Sequence, residues 1–348
     1  MAAMLFLFMI MVAAAALWKM VCIRKREERA RFLASLHPVR DARKILWYMY
    51  SVEFPFLSQK ALEFGTIRTL GIPGITNLLF KTKYGLKDPQ KRAAETNILV
   101  SEMIHHHVDS DRGSYAVRRL NGIHSKFKIP NDQFAYVLSL NVISPIDFSE
   151  RFGFRKWTDN EKQAAYVVWH DVGVRMGITN IPDSIPEMRQ YIRDYEAKNA
   201  IFTDKNKSII QDLKHLVLDA FPRPLQPLVE TGICALIDPT IRSAVGLEKP
   251  PVIVEWIILG AFKLLAGSCV SVFMPPRRVG DAKGSIEVDW CPNPAANPEE
   301  YRQLNVNVYR PPAFEKGYKL AELGALKSGK LGPYYDGGLR CPFQQMHA

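Results

Sequence analysis

Residues 117–127 read VRRLNGIHSKF, and on a helix Val117, Leu120, His124 and Phe127 fall on one face at spacings of three and four. Three of these four are apolar, so the pattern predicts an amphipathic helix whose imidazole points into the protein. A nitrogen donor in apolar surroundings suits two roles: a hydrogen-bonded core histidine, or an axial ligand to a flat apolar cofactor such as haem. The spacing alone does not separate them.

The same period recurs outward along the chain. Pro89 opens a helical pattern through Thr96, Leu99, Val100, Met103 and Ile104. Asp111 or Ser114 is the expected N-cap of the His124 helix. Asn131-Asp132 starts another helix, with Pro145 expected to end it. Thr158-Asp159-Asn160-Glu161 has the form of a capping box and should launch a helix stopping near Gly177, and Ser184 to Glu187 should begin the next. Alternating strand patterns are scarce. The expected fold class is therefore all-α.

Residues 1–22 read MAAMLFLFMIMVAAAALWKMVC, apolar except for Lys19, which can snorkel from its place near the end. About 20 helical residues cross a bilayer core. Positive charge follows this run (Arg24, Lys25, Arg26, Arg29, Arg31) rather than preceding it, and no small-x-small site separates it from the body, so a signal anchor is favoured over a cleaved signal peptide. The positive-inside rule puts the basic flank and the body in the cytosol, with a short N-terminus on the far side. A second apolar stretch, 252–274, contains Glu255 and Lys263. Two charges disfavour a second span and favour a core helix or one lying in the membrane interface. The expected organisation is an anchor over 1–22, a basic juxtamembrane linker over 23–40, a helical domain over 41–275, and a Pro/Gly-rich C-terminal region over 276–348.

The net charge of +11 fits an anionic membrane surface better than nucleic acid, since no reader motif or interleaving of basic and aromatic residues accompanies it. Cys22, Cys234, Cys269, Cys291 and Cys341 are scattered, with no CxxC pair, which argues against structural zinc and a disulfide scaffold. There is no GxSxG, HExxH or Gly-rich phosphate loop before a helix. Glu102 and His105 form a Glu-x-x-His pair, one piece of a di-iron carboxylate site, but no second copy follows; His105, His106 and His107 also suit a half-solvated helix end. His170 sits beside Asp171 and reads as a base set behind a site residue or as an ordinary packed or surface histidine. Arg92 and Thr96 share a helix face with Glu95 beside them, which spacing alone reads as a solvated salt-bridging face.

Four stretches in order carry more: Lys91-Arg92-x-x-Glu95-Thr96; Arg119 to His124 (RLNGIH); Ile129-Pro130-Asn131-Asp132-Gln133-Phe134-x-Tyr136-x-Leu138; and Trp169-x-x-x-Gly173-x-x-Met176-Gly177-Ile178-x-x-Ile181-Pro182. This set resembles the fungal ER-bound oxygenases of the mpaB type, which share a catalytic domain with the bacterial latex-clearing rubber oxygenases, over about residues 40 to 270. The resemblance implies a haem b cofactor in an all-α domain behind a single-pass anchor. It also implies oxidative cleavage of an isoprenoid carbon–carbon double bond by dioxygen, in an apolar prenylated substrate of fungal meroterpenoid metabolism, at the endoplasmic reticulum membrane. By the family pattern His124 is the proximal iron ligand, and Arg92 and Thr96 match positions near the haem. Where the rubber oxygenases carry a lysine able to cap the distal face, this chain has Glu95. A carboxylate there acts as a general base or polarises oxygen through a water. Two other classes stay open: a non-haem metal oxygenase using Glu102, His105 and His170, and a membrane-tethered helical lipid or terpenoid carrier without catalysis.

Overall fold

The computed structural model describes residues 2–82, 89–269 except 220, 274, 319–324 and 331–335. Thirteen α-helices in these residues carry the fold: α1 Ala2–Ser35, α2 Ala42–Trp47, α3 Pro55–Thr69, α4 Pro73–Thr82, α5 Pro89–His105, α6 Asp111–His124, α7 Asn131–Phe152, α8 Asp159–Arg175, α9 Ile185–Asn199, α10 Asp204–Leu218, α11 Gln226–Leu236, α12 Pro239–Ala244 and α13 Val252–Lys263. Wide π-helical turns prolong α2 to Glu53 and α13 to Cys269. Among the described residues no strand occurs, and the all-α expectation holds.

Helix α7 is the central post. Helices α3, α8 and α9 pack on it, α2 lies on α8, and α5 pairs with α6. Their facing sides bury Ile45, Met49, Tyr136, Leu140, Val142, Ile146, Trp169 and Val172 in one continuous core. Each large apolar side chain so buried contributes roughly 1.5–3 kcal/mol. Glycine sets the closest approach: a Cβ on Gly173 of α8 would lie 2.5 Å from Leu138 Cδ2 and 2.8 Å from Ile181 Cδ1, which explains a glycine inside that helix.

Local signals govern most boundaries. The Thr158 hydroxyl accepts from the Glu161 amide at 3.3 Å while the Glu161 carboxylate accepts from the Thr158 amide at 2.8 Å, a complete capping box. The Ser184 hydroxyl caps α9 by accepting from the Glu187 amide at 3.3 Å, and α8 ends just before Gly177, whose φ of +78° suits glycine. Two expectations need correction. The N-cap of α6 is Ser110, whose hydroxyl accepts from Gly113 N at 3.0 Å; Asp111 instead occupies the first turn, where its charge complements the dipole. Helix α7 does not end at Pro145 but runs on to Phe152. Proline cannot donate to the carbonyl four residues back, Asn141, and the Tyr50 hydroxyl donates to that carbonyl at 3.4 Å instead.

The N-terminal apolar run and the basic residues after it form one unbroken helix, α1, long and apolar enough to cross a membrane. Its first half is exposed, whereas Cys22, Arg26 and Leu33 are buried against the body. Arg29 donates to Glu53 at 3.1 Å, and Glu53 also accepts from Arg155 at 3.2 Å, tying the base of α1 to the turn after α2.

Candidate functional site

Helices α5 and α6 form an antiparallel hairpin whose closed end is locked by a buried ion pair. Arg112 Nε and Nη2 each donate to the Glu102 carboxylate at 2.6 Å, and both side chains are fully buried. His106 Nε2 lies 3.5 Å from the same carboxylate. Towards the open end, Ile98 and Leu99 of α5 join Leu120 and Ile123 of α6 in one apolar cluster. Glu95 is seven residues before Glu102 and so shares its face. It is 1% exposed. His124 is the last residue of that helix.

His124 is half-buried, and α6 ends there. Its Nδ1 is out of contact with solvent, and its ring lies 5.2 Å from the Phe134 ring of α7 at an interplanar angle of 54°. Thr96 is half-buried beside Glu95. Arg92 is on α5 one turn earlier, but its side chain lies outside the described residues, as does that of His105. The paired helices thus carry Glu95 on α5 and His124 at the end of α6.

Part of the C-terminal region is drawn onto this hairpin. Leu320 and Leu323 are buried against Ile98 and Leu99, and the fully buried Arg119 donates through Nε and Nη2 to the Leu323 carbonyl at 2.9 and 2.7 Å. Further on, Gly332 N donates to the Arg118 carbonyl at 2.7 Å, and Asn121 Nδ2 donates to the carbonyls of Pro333 at 2.8 Å and Arg175 at 3.1 Å. Arg119 and Asn121 stand in the RLNGIH stretch beside the histidine, and both donate to carbonyls of the C-terminal segment.

A second polar cluster lies at the closed end. Arg175 of α8 donates to Asp109 at 2.8 Å and to the Tyr334 hydroxyl at 2.9 Å, and that hydroxyl lies 2.7 Å from Asp109. Asp171 is 3.7 Å from Arg175. Burial pushes the Asp171 carboxyl up to about 7, with Asp109 adding and Arg175 and Arg43 opposing. Burial pulls His107 down to about 4, with Arg43 and Arg175 adding and Asp109 opposing. Between about pH 4 and 7 native Asp171 keeps a proton that the unfolded chain has lost, so its contribution to stability falls as pH rises. Between about pH 4 and 6.5 unfolded His107 holds a proton that the native residue lacks, so its contribution rises. The two slopes oppose. Asp171→Asn removes one of them, so stability of that variant is expected to climb from pH 4 to 6.5 more steeply than wild type, by at most about 1.4 kcal/mol per pH unit. Urea midpoints measured across that range check it, and parallel profiles for the two proteins would contradict the assignment.

Of the residues of the non-haem alternative, the side chain of His105 lies outside the described residues. Glu102 is committed to Arg112, and His170 stacks near Tyr166 with ring centroids 5.4 Å apart. Among the described residues no group of three His, Cys, Asp or Glu side chains converges on a metal-sized site. Sequence reasoning passed over Arg112, Arg119 and Arg175, the largest fully buried side chains after Trp169. A signal was available for two of them: Arg112, Ala116, Arg119 and Ile123 recur at spacings of four, three and four on the inward stripe of α6.

The fold is that of an all-α protein with one apolar N-terminal helix and a histidine at the end of one of two paired helices. Residues 73–266 match the catalytic-domain model shared by the ER-bound oxygenases mpaB/B' and rubber oxygenase, and the chain belongs to that family. It is 30% identical over 220 residues to the ER-bound oxygenase mpaB' of Penicillium brevicompactum, covering 58% of this chain and 52% of that protein. It is 28% identical over 211 residues to the ER-bound oxygenase mpaB of Penicillium roqueforti (strain FM164), covering 56% and 71%. To mpaB of Penicillium brevicompactum it is 32% identical over 177 residues, 46% and 45% of the two chains. The chain thus spans about half the length of the two Penicillium brevicompactum relatives.

Proposed function

We propose that this chain is a membrane-anchored, haem b-dependent oxygenase that cleaves a carbon–carbon double bond in a prenyl or terpenoid side chain with dioxygen. The observation that carries the reading is the half-buried His124 imidazole, set against Phe134 at the end of the α5–α6 hairpin, with buried Glu95 on the facing helix, inside the matched family domain. An imidazole packed near Phe134, one helical turn after Leu120, has the donor chemistry of a haem axial ligand, and among the described residues no group of three metal-ligating side chains forms. Haem, when bound, supplies the dioxygen chemistry that no side chain can perform.

The protein's share is ligation, proton handling and exclusion of water. His124 would hold the iron, and Phe134 packs the imidazole in one orientation. Glu95 would hold or deliver a proton at its carboxylate oxygens, with Thr96 and Arg92 adding hydrogen bonds from the same helix. Leu320 and Leu323 seal the hairpin from solvent on the side where they pack. The apolar α1 would tether the body to a bilayer in which an apolar prenylated substrate is concentrated. The printed names of the relatives support the endoplasmic reticulum, and the basic residues after the apolar run support a cytosolic body by the positive-inside rule.

The absorption spectrum of the purified full chain, followed by oxygen uptake with a prenylated phenol, tests this. A Soret band with substrate-dependent uptake is expected; a protein expressed with haem supplied that shows no Soret band overturns it. Glu95→Gln is expected to keep the band and lower turnover by roughly 10²-fold. Unchanged turnover would remove Glu95 from the chemistry.

A further inference from the structure

Helix α13 is the most apolar helix of the body, yet none of its residues is buried. Ile253 is 75% exposed, Trp256 74%, Ile257 65% and Leu264 57%, while nothing lies within 4 Å of the space beside Gly260. These five positions recur at helical spacing and form one outward stripe. Its only carboxylate points the other way: Glu255 is 3.5 Å from the buried Arg242 of α12. Lys263 sits at the C-terminal end, where a long side chain reaches out of an apolar layer. Phe56 of α3, half exposed, widens the face through its contact with Phe262, the ring centroids being 6.1 Å apart. Such a contiguous face marks an interaction surface, since isolated exposed apolar residues are ordinary but a stripe of them is not.

What covers it follows from where it lies. The turn after α13 seats Gly267 against the backbone of Phe152 and Gly153. The base of α1 reaches the same corner: the Arg26 guanidinium lies 4.3 Å from the Phe154 ring centroid and donates to the Met274 carbonyl at 2.9 Å. The point where the anchor leaves the body and the end of the exposed helix are therefore neighbours. At about 1.5 Å per residue α13 is about 18 Å long, too short to span a bilayer but suited to lie in its interface, with a tryptophan at headgroup depth.

We infer that α13 is a second, monotopic membrane contact that docks the body on the bilayer carrying α1, through Ile253, Trp256, Ile257 and Leu264. The docking rests on reading α1 as the anchor. It would hold the body against the surface rather than leaving it to swing on one helix, and would keep its access to bilayer-dissolved apolar molecules.

The test uses the full chain in phosphatidylcholine vesicles containing a minority of phosphatidylserine, with acyl chains brominated as tryptophan quenchers. Difference spectra against Trp18→Phe and Trp256→Phe isolate the two reporters. Quenching of both by brominated lipid, with Trp256 shielded from aqueous iodide, is expected. In Ile253→Lys/Ile257→Lys, the Trp256 signal should lose its lipid quenching and become open to iodide, while that of Trp18 is unchanged. Lipid quenching of Trp18 alone overturns the docking and leaves the anchor standing; quenching of neither overturns both. A Trp256 shielded from lipid and iodide alike, with self-association that the lysine variant abolishes, also overturns it by assigning the face to a second copy of the chain.

Discussion

Arg112→Ala is expected to lower stability by about 3–5 kcal/mol, because it strands the Glu102 carboxylate in the interior without its partner. Both side chains are fully buried and the contact is bidentate at 2.6 Å, so water cannot replace the lost donors without opening the hairpin. For a chain of this size that loss corresponds to a fall in Tm of roughly 5–15 °C. Charge and volume can be separated with a second variant. Glu102→Leu with Arg112→Met removes both charges at similar volume, and most of the stability should return, since a well-packed apolar pair often equals or exceeds a buried ion pair. A single variant that loses under about 1 kcal/mol would show that the pair is not the lock of the α5–α6 hairpin. The result also bears on the site, because α5 of this hairpin carries Glu95 and α6 carries His124.

His124→Ala is expected to abolish the Soret band while leaving the far-ultraviolet helical signal and the urea midpoint nearly unchanged. The two halves of that expectation have different grounds. Loss of an axial ligand removes the bond that fixes the iron. The fold should tolerate the change, since His124 is half-buried at a helix end and most such substitutions cost about 1 kcal/mol or less. Imidazole added to the variant should restore part of the band by occupying the space the side chain leaves. Retention of a normal band without imidazole would show that another residue holds the cofactor. Collapse of the midpoint would return His124 to the role of a core histidine.

Much of this architecture was legible because it is written locally. Helices α5, α8 and α9 start where Pro89, the Thr158 capping box and Ser184 place them, since a cap needs only residues three or four apart. The N-cap of α6 was misplaced by one residue because Ser110, Asp111 and Ser114 are all competent caps and only backbone conformation chooses among them. The continuation of α7 through Pro145 was not legible at all, since the hydroxyl that satisfies Asn141 comes from Tyr50, 91 residues away. Of the site, the four family-like stretches named His124, Glu95 and Thr96, but nothing in their spacing assigned Arg119 and Asn121 to the tail.

Taken by itself, then, the amino-acid order determined the all-α class, an apolar N-terminal run long enough to cross a bilayer, and the helices bearing the candidate residues. Periodicity, caps and hydrophobic length act within a few residues, and they survive without knowledge of any partner. Tertiary structure alone decided which faces those helices share. It set Glu102 on Arg112 at the closed end of the hairpin, and brought Leu323 and Pro333 onto Arg119 and Asn121 across separations of 204 and 212 residues. It also left the outward stripe of α13 uncovered. The physical reason is that burial and ion pairing depend on what a segment meets in space, and that partner can lie anywhere in the chain or in the membrane beside it.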